Sequence, residues 1–153
     1  MKILLAIDDS RFSEATIQAV LKQTVTKDTE VSVLHVVEPL RVNVGDETRM
    51  YFTDIETVRQ AQLKQAEALV ARAANVLRPA GFKVTTLVEE GDPITKIVDR
   101  AAAWKADLIV LGSHGLKGFE RLLLGSVSEG VARHAPCTVE IVRTPAERVA
   151  KAA

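Results

Sequence analysis

Short apolar runs alternate along this chain with stretches whose apolar residues recur at helical spacing, and that alternation restricts the fold most. Lys2 to Asp8 is an apolar run bounded by polar residues, the pattern of a strand buried on both faces. Asp9, Ser10 and Ser13 then offer capping side chains. Ala15, Ile17, Ala19, Val20 and Leu21 form a stripe that predicts a helix to about Val25, with Ser10 or Ser13 as N-cap. Glu30 to Val37, rich in valine and closed by Pro39, reads as the second strand. Leu40 to about Phe52, with Gly45 inside it, has no periodicity and reads as a loop able to lie over the end of a sheet. From Asp54 onward Ala61, Leu63, Ala66, Leu69, Val70, Ala73, Val76 and Leu77 recur at helical spacing until Pro79 and Gly81 stop them, which predicts the longest helix.

Lys83 to Glu89 alternates as a third strand. Gly91, Asp92 and Pro93 supply a turn, an N-cap and a proline at the first helical position, and Ile94, Ile97, Val98, Ala101 and Ala102 give the next helix its apolar face. Trp104, at the end of that helix, reads as a large residue sealing it against the sheet. Asp107 to Gly112 is the fourth strand, Ser126 to His134 the last helix and Cys137 to Val142 the fifth strand, followed by a frayed tail after Thr144. Strands alternating with helices argue an α/β fold: a single doubly wound, five-stranded parallel sheet with helices on both faces, Rossmann-like, its order 3-2-1-4-5. In that order the first and fourth strands are neighbours and the chain reverses direction between them. Ligands of open α/β sheets bind at such a switch point, beyond the carboxyl ends of the strands, here where Asp8 meets Gly112.

A chain of 153 residues suits one domain. With 47% hydrophobic and 26% charged residues and a net charge of zero, it offers no electrostatic footprint for nucleic acid or an anionic membrane. The opening MKILLAIDDS meets Asp8 and Asp9 too soon for a secretory signal or a membrane span. The lone Cys137 excludes an internal disulfide and reads as a structural thiol, and the three histidines have no metal-site spacing. The expected compartment is the cytoplasm.

The segment that carries chemistry is LIVLGSHGLKGFERLLLGSV, Leu108 to Val127: a strand, a glycine-bearing loop and a helix start. Unpaired N–H groups at a helix N-terminus attract anions, and glycine tolerates positive φ and lets an anion approach the backbone. The spacing is neither the Walker pattern nor the dinucleotide fingerprint. It reads G-x2-G-x9-G-S, fixed by Gly112, Gly115, Gly125 and Ser126.

This motif resembles the nucleotide-binding signature of the universal stress protein family, in its ATP-binding branch. The resemblance extends over KILLAIDDS, the HVV ending of the second strand, the GDP turn and GSVSEGVARHAPCTVEIV. It implies a universal stress protein domain over residues 1–144 with a short tail at 145–153, a fold like that of the adenine nucleotide alpha-hydrolases, and a homodimer formed through the last strand. It further implies ATP, ADP or AMP as the bound nucleotide, with magnesium held through the phosphates. Asp8 and the backbones of Ala6 and Val36 would surround adenine and ribose. Gly112 would lie near the ribose, His114, Gly115, Gly125, Ser126 and Val127 along the phosphates, and Leu111 would also belong to the nucleotide site. Ala6 departs from the proline that some relatives carry, and Glu140 in the last strand marks an edge with one face partly open.

Several residues keep two readings. Asp8 is a ligand contact or a helix-capping carboxylate; His114 contacts phosphate or faces solvent; Gly118 is a turn; Lys117 and Arg121 reach phosphates or are ordinary surface cations. His35, inside a strand, reads as packed and hydrogen-bonded, and His134 suits a helix C-terminus. The functional expectation is a stress-response or signalling module with slow or no hydrolysis, since no P-loop lysine and no paired catalytic base is visible. The alternatives are a weak ATPase and a dimeric scaffold with an empty site.

Overall fold

The structure, a computed structural model, describes residues 1–40, 52–113 and 124–143. Strands and helices alternate as β1 (Lys2–Ala6), α1 (Ser13–Leu21), β2 (Glu30–Val37), α2 (Phe52–Leu77), β3 (Lys83–Glu90), α3 (Pro93–Trp104), β4 (Leu108–Gly112), α4 (Ser126–His134) and β5 (Thr138–Val142). A 3-10 turn at Arg78–Ala80 extends α2, and Gly81, at φ 97°, ends it in the left-handed conformation that glycine adopts without a Cβ clash. All four strand pairings are parallel and the order is β3-β2-β1-β4-β5, as the alternation of elements predicts.

Successive side chains of a strand point to opposite faces, and β1 distributes its residues accordingly. Ile3 and Leu5 join Ile17 and Val20 of α1 and Leu69, Val70, Ala73 and Leu77 of α2 in one core. Leu4 and Ala6 join Ile97 and Ala101 of α3 and Val131 of α4 in the other. Ile3, Leu4, Leu5, Leu34 and Ile109 have no exposed surface, and each such burial stabilises the fold by about 1.5–3 kcal/mol. That exceeds the worth of any single helix cap, so the sheet and its two cores set the architecture. Trp104 packs against the second core while the Lys2 ammonium lies 5.5 Å from its ring centroid, at the end of the sheet away from the strand carboxyl termini.

The element ends differ from the sequence expectation where side chains intercept the backbone. β1 stops at Ala6, short of Asp8, because Ser13 Oγ donates to the Asp8 carbonyl and accepts from its amide. Neither Ser10 nor Ser13 caps α1: Phe12 occupies the N-cap with no side-chain cap bond. α1 ends at Leu21 rather than near Val25, since Thr29 Oγ1 takes the Thr26 amide at 2.9 Å and starts a turn. β4 begins at Leu108 because the Asp107 carboxylate accepts from the Lys2 amide at 2.7 Å. β3 runs one residue further than expected, to Glu90, and β5 begins at Thr138 rather than Cys137. The expected loop from Leu40 to Phe52 falls mostly, and the tail after Thr144 wholly, outside the described residues.

β5 is an edge strand, as the charge within it suggests. Glu140 is half-buried and accepts from Gln23 Nε2 at 2.8 Å, which compensates the carboxylate for the water it loses. On the other face α3 and α4 meet at Gly130, where a Cβ would lie 2.5 Å from Cδ1, 2.9 Å from Cγ1 and 3.2 Å from Cγ2 of Ile94. Asp92 caps α3 with its carboxylate, accepting from the Thr95 amide and hydroxyl, both at 2.8 Å. Those two bonds hold its pKa below the usual carboxylate value.

Two outcomes follow for stability. Gly130→Ala lowers stability in the native background by about 1 kcal/mol, because overpacking outweighs the gain in helix propensity. In an Ile94→Ala background the same change is stabilising, and urea melts of the four proteins read the sign reversal. Asp92→Ala costs about 1 kcal/mol at neutral pH. Because the folded-state pKa is depressed, that contribution is fully present above the unfolded value of about 3.9 and is lost as pH falls through the folded one. Melts of both proteins from pH 7 to pH 2 therefore converge at the acid end.

Candidate functional site

The carboxyl ends of β1, β2 and β4 open onto a cleft of about 900 Å³ at the switch point between β1 and β4. Residues from the start of α3, from α2 and from the start of α4 complete its walls. Ala6, Asp8, Val36, Leu111, Gly112, Gly125, Ser126 and Val127, eight of the ten residues expected from sequence, line this one cleft. His114 and Gly115 lie outside the described residues, as do Lys117, Gly118 and Arg121.

At one end of the cleft the chain leaves β1 through a turn organised by Asp8. Its Oδ1 accepts from the Ser10 amide at 3.1 Å, from the Ser10 hydroxyl, and lies 3.1 Å from Ser13 Oγ. The amide contact to a residue two positions on is the Asx-turn geometry, in which a side chain replaces a backbone turn bond. Asp8 therefore braces the loop rather than capping α1, and the same carboxylate borders the cleft. Asp9, next in the chain, accepts from Gln65 Nε2 at 2.7 Å and so ties this turn to α2.

At the other end α4 begins. Gly125 is its N-cap, with φ −75° and ψ 163° and no side-chain cap bond. The first amides of a helix have no intrahelical acceptor, so Ser126, Val127 and Ser128, all lining the cleft, bring a concentration of donors and the positive end of the helix dipole to it. The junction with β4 is pinned: the Gly125 amide donates to the Ser113 carbonyl at 2.7 Å, and the buried Ser128 hydroxyl reaches the Ser113 and Gly125 carbonyls at 3.1 and 2.9 Å. The Ser113 amide donates in turn to the Val142 carbonyl of β5 at 2.9 Å.

The dihedral angles correct one part of the sequence argument. Among the described glycines only Gly81 and Gly91 have positive φ, so Gly112 and Gly125 are not required by backbone conformation.

Ser128, Gln62, Gln65, Ile94 and Ile97 also belong to the cleft and were not expected there. Signals existed for two of them. Ser128 is a small polar residue in the first turn of a helix, and Gln65 adjoins Ala66 on the line that continues through Leu69 into the core. His35 is hydrogen-bonded as expected, its Nδ1 lying 2.8 Å from the Ile7 carbonyl. Beyond the cleft, Arg59 of α2 grips the Glu90 carboxylate with Nε at 2.8 Å and a terminal nitrogen at 2.7 Å, which lowers the Glu90 pKa. Burial, with the nearby Asp107 charge adding to it, pushes the Cys137 thiol up, in keeping with a packed structural role.

Among the described residues no group of three His, Cys, Asp or Glu side chains converges as a metal site, and no helix is long and apolar enough to cross a membrane.

Known proteins share this architecture. The model of the universal stress protein family matches residues 1–143. The chain is 30% identical over 145 residues to the universal stress protein YxiE of Bacillus subtilis, a match covering 93% of this chain and 98% of that one. Among solved structures it is similar to a protein described as hypothetical protein MJ0577, with a TM-score of 0.81, 28% identity and coverage of 95% and 96% of the two chains. It shares its fold with a universal stress protein family protein from Arabidopsis thaliana solved with AMP bound, at a TM-score of 0.66 and 20% identity over 99% and 97% of the chains.

Proposed function

We propose, from the fact that the chain belongs to the universal stress protein family, that it binds an adenine nucleotide at the switch-point cleft and serves as a stress-response or signalling module. One observation carries this: the turn at Asp8, the end of β2 at Val36 and the N-terminus of α4 at Gly125–Val127 all face the same cleft. The AMP held by the Arabidopsis thaliana relative supports the class of ligand.

On this proposal adenine and ribose occupy the end lined by Ala6, Asp8, Val36, Leu111 and Gly112, where the Asp8 carboxylate accepts from base or sugar donors. The phosphates of ATP, ADP or AMP lie toward Gly125, Ser126 and Val127, whose amides and hydroxyl donate to anionic oxygens. The family resemblance assigns His114 and Gly115, which lie outside the described residues, to the phosphate side as well. Magnesium, where present, rests on phosphate oxygens and water. The sequence carries no P-loop lysine and no recognisable catalytic base paired to the signature, so hydrolysis is slow or does not occur. The domain, residues 1–144, pairs as a cytoplasmic homodimer along the outer edge of β5.

Two variants test the two ends of the cleft. Gly125→Val leaves the circular dichroism spectrum intact, because φ −75° is open to valine, and lowers ATP affinity about tenfold or more by filling the approach to α4. Mass spectrometry of the small molecules released on denaturation shows an adenine nucleotide from the native protein and none from the variant. Asp8→Ala weakens binding of ATP about tenfold while tripolyphosphate binding changes little; equal losses for the two ligands in calorimetric titration would remove Asp8 from the nucleoside end.

A further inference from the structure

The ladder between β1 and β2 ends beside a side chain that takes one of its carbonyls. Its last bridge pairs Ala6 with Leu34, and beyond it the Ile7 amide still donates to the Leu34 carbonyl at 3.0 Å. In a parallel ladder the residue whose amide donates to one carbonyl accepts, through its own carbonyl, from the amide two residues further along the partner strand. Here that returning donor would be the Val36 amide. Instead the Ile7 carbonyl meets His35 Nδ1 at 2.8 Å. A carbonyl can only accept, so Nδ1 carries the proton and donates it.

The Val36 backbone is thereby left over. The N–H and C=O of one strand residue point to the same edge and alternate along the strand. The carbonyls of Thr29 and Val37 face β3, taking the Lys83 amide at 3.3 Å and the Gly91 amide at 3.0 Å, whereas Leu34 faces β1. Val36 therefore directs both its backbone groups toward the place that β1 has vacated. Val36 is only partly buried and lines the cleft, and among the described residues neither group has a partner. A donor and an acceptor side by side match the edge of adenine, which presents an N6–H donor beside ring-nitrogen acceptors; guanine, with O6 in that place, mismatches it.

We propose that His35 is a positioning residue for the base: its Nδ1–H occupies the Ile7 carbonyl, stops the β1–β2 ladder one bridge early and so keeps the Val36 amide and carbonyl available to read adenine. This rests on the adenine-nucleotide function proposed above. A histidine that served packing alone would have no bearing on the state of the Val36 amide.

The test compares the native protein, His35→Leu, which fills space without a donor, and His35→Asn, which returns an N–H at similar reach. Amide hydrogen exchange at Val36 is measured without ligand, and AMP and tripolyphosphate are titrated calorimetrically. In His35→Leu the Val36 amide takes over the Ile7 carbonyl, so its exchange slows about tenfold and AMP affinity falls by about the same factor, while tripolyphosphate affinity is unchanged. His35→Asn restores both toward native values. Unchanged Val36 exchange in His35→Leu, or an AMP loss in His35→Asn as large as that in His35→Leu, overturns the proposal even where the native protein binds AMP. Failure of the native protein to bind AMP or ATP overturns the nucleotide function itself, and the base-reading role with it.

Discussion

A parallel sheet can satisfy its backbone only where a neighbouring strand runs alongside, and at the switch point it cannot. β1 and β4 are adjacent, yet the chain leaves them toward helices on opposite faces, so a crevice opens between their ends. Every backbone group bordering it must find a side chain, water or a ligand. The described residues show a partial settlement. Ser13 takes the Asp8 amide, His35 takes the Ile7 carbonyl, and the Ser113 carbonyl receives the Gly125 amide and the Ser128 hydroxyl. Among the described residues the backbone of Val36 and the first amides of α4 have no such partner, and they border the same cleft. The two cores hold this open arrangement from either side, because both faces of the sheet are covered and β1 is packed on each.

Much of this was legible in the sequence for a physical reason. A strand buried on both faces is largely apolar, so β1 and β4 stand out as continuous runs and β2 as a valine-rich one, and the order of elements then allows few right-handed topologies. The cap at Asp92 and the proline at Pro93 act within one turn of chain, and Glu30–Val37 and Ser126–His134 were read with the boundaries found. Local chemistry of that kind leaves a local mark.

What sequence did not disclose depends on residues far apart in the chain. Gln65 meets Asp9 across 56 residues and Gln23 meets Glu140 across 117, and no periodicity encodes either contact. The end of β1 was misplaced because Ile7 and Asp8 continue its apolar and extended pattern, while the hydrogen bonds that stop it come from Ser13 and from a histidine on the next strand. Ser10 and Ser13 look like helix caps from sequence because capping residues and Asx-turn partners are the same residue types. Which role they take is decided by Asp8.

Gly125 shows how a sequence argument can point to a cleft-lining position for a reason that the backbone does not bear out. Its place in the glycine pattern pointed to the cleft, but the argument from left-handed backbone does not hold, since its φ of −75° is available to any residue. The remaining reason is distance: an anion bound by the amides of a helix N-terminus must come within about 3 Å of the backbone, and a side chain at the N-cap stands in that path. The same logic separates two kinds of glycine in this chain. Gly81 and Gly91, at φ 97° and 145°, answer a demand of the fold, whereas Gly125 lies outside the positive-φ region and answers no such demand. A glycine that the backbone does not need, placed where a helix presents unpaired donors to a cleft, is therefore better explained by what the cleft receives than by the fold that surrounds it.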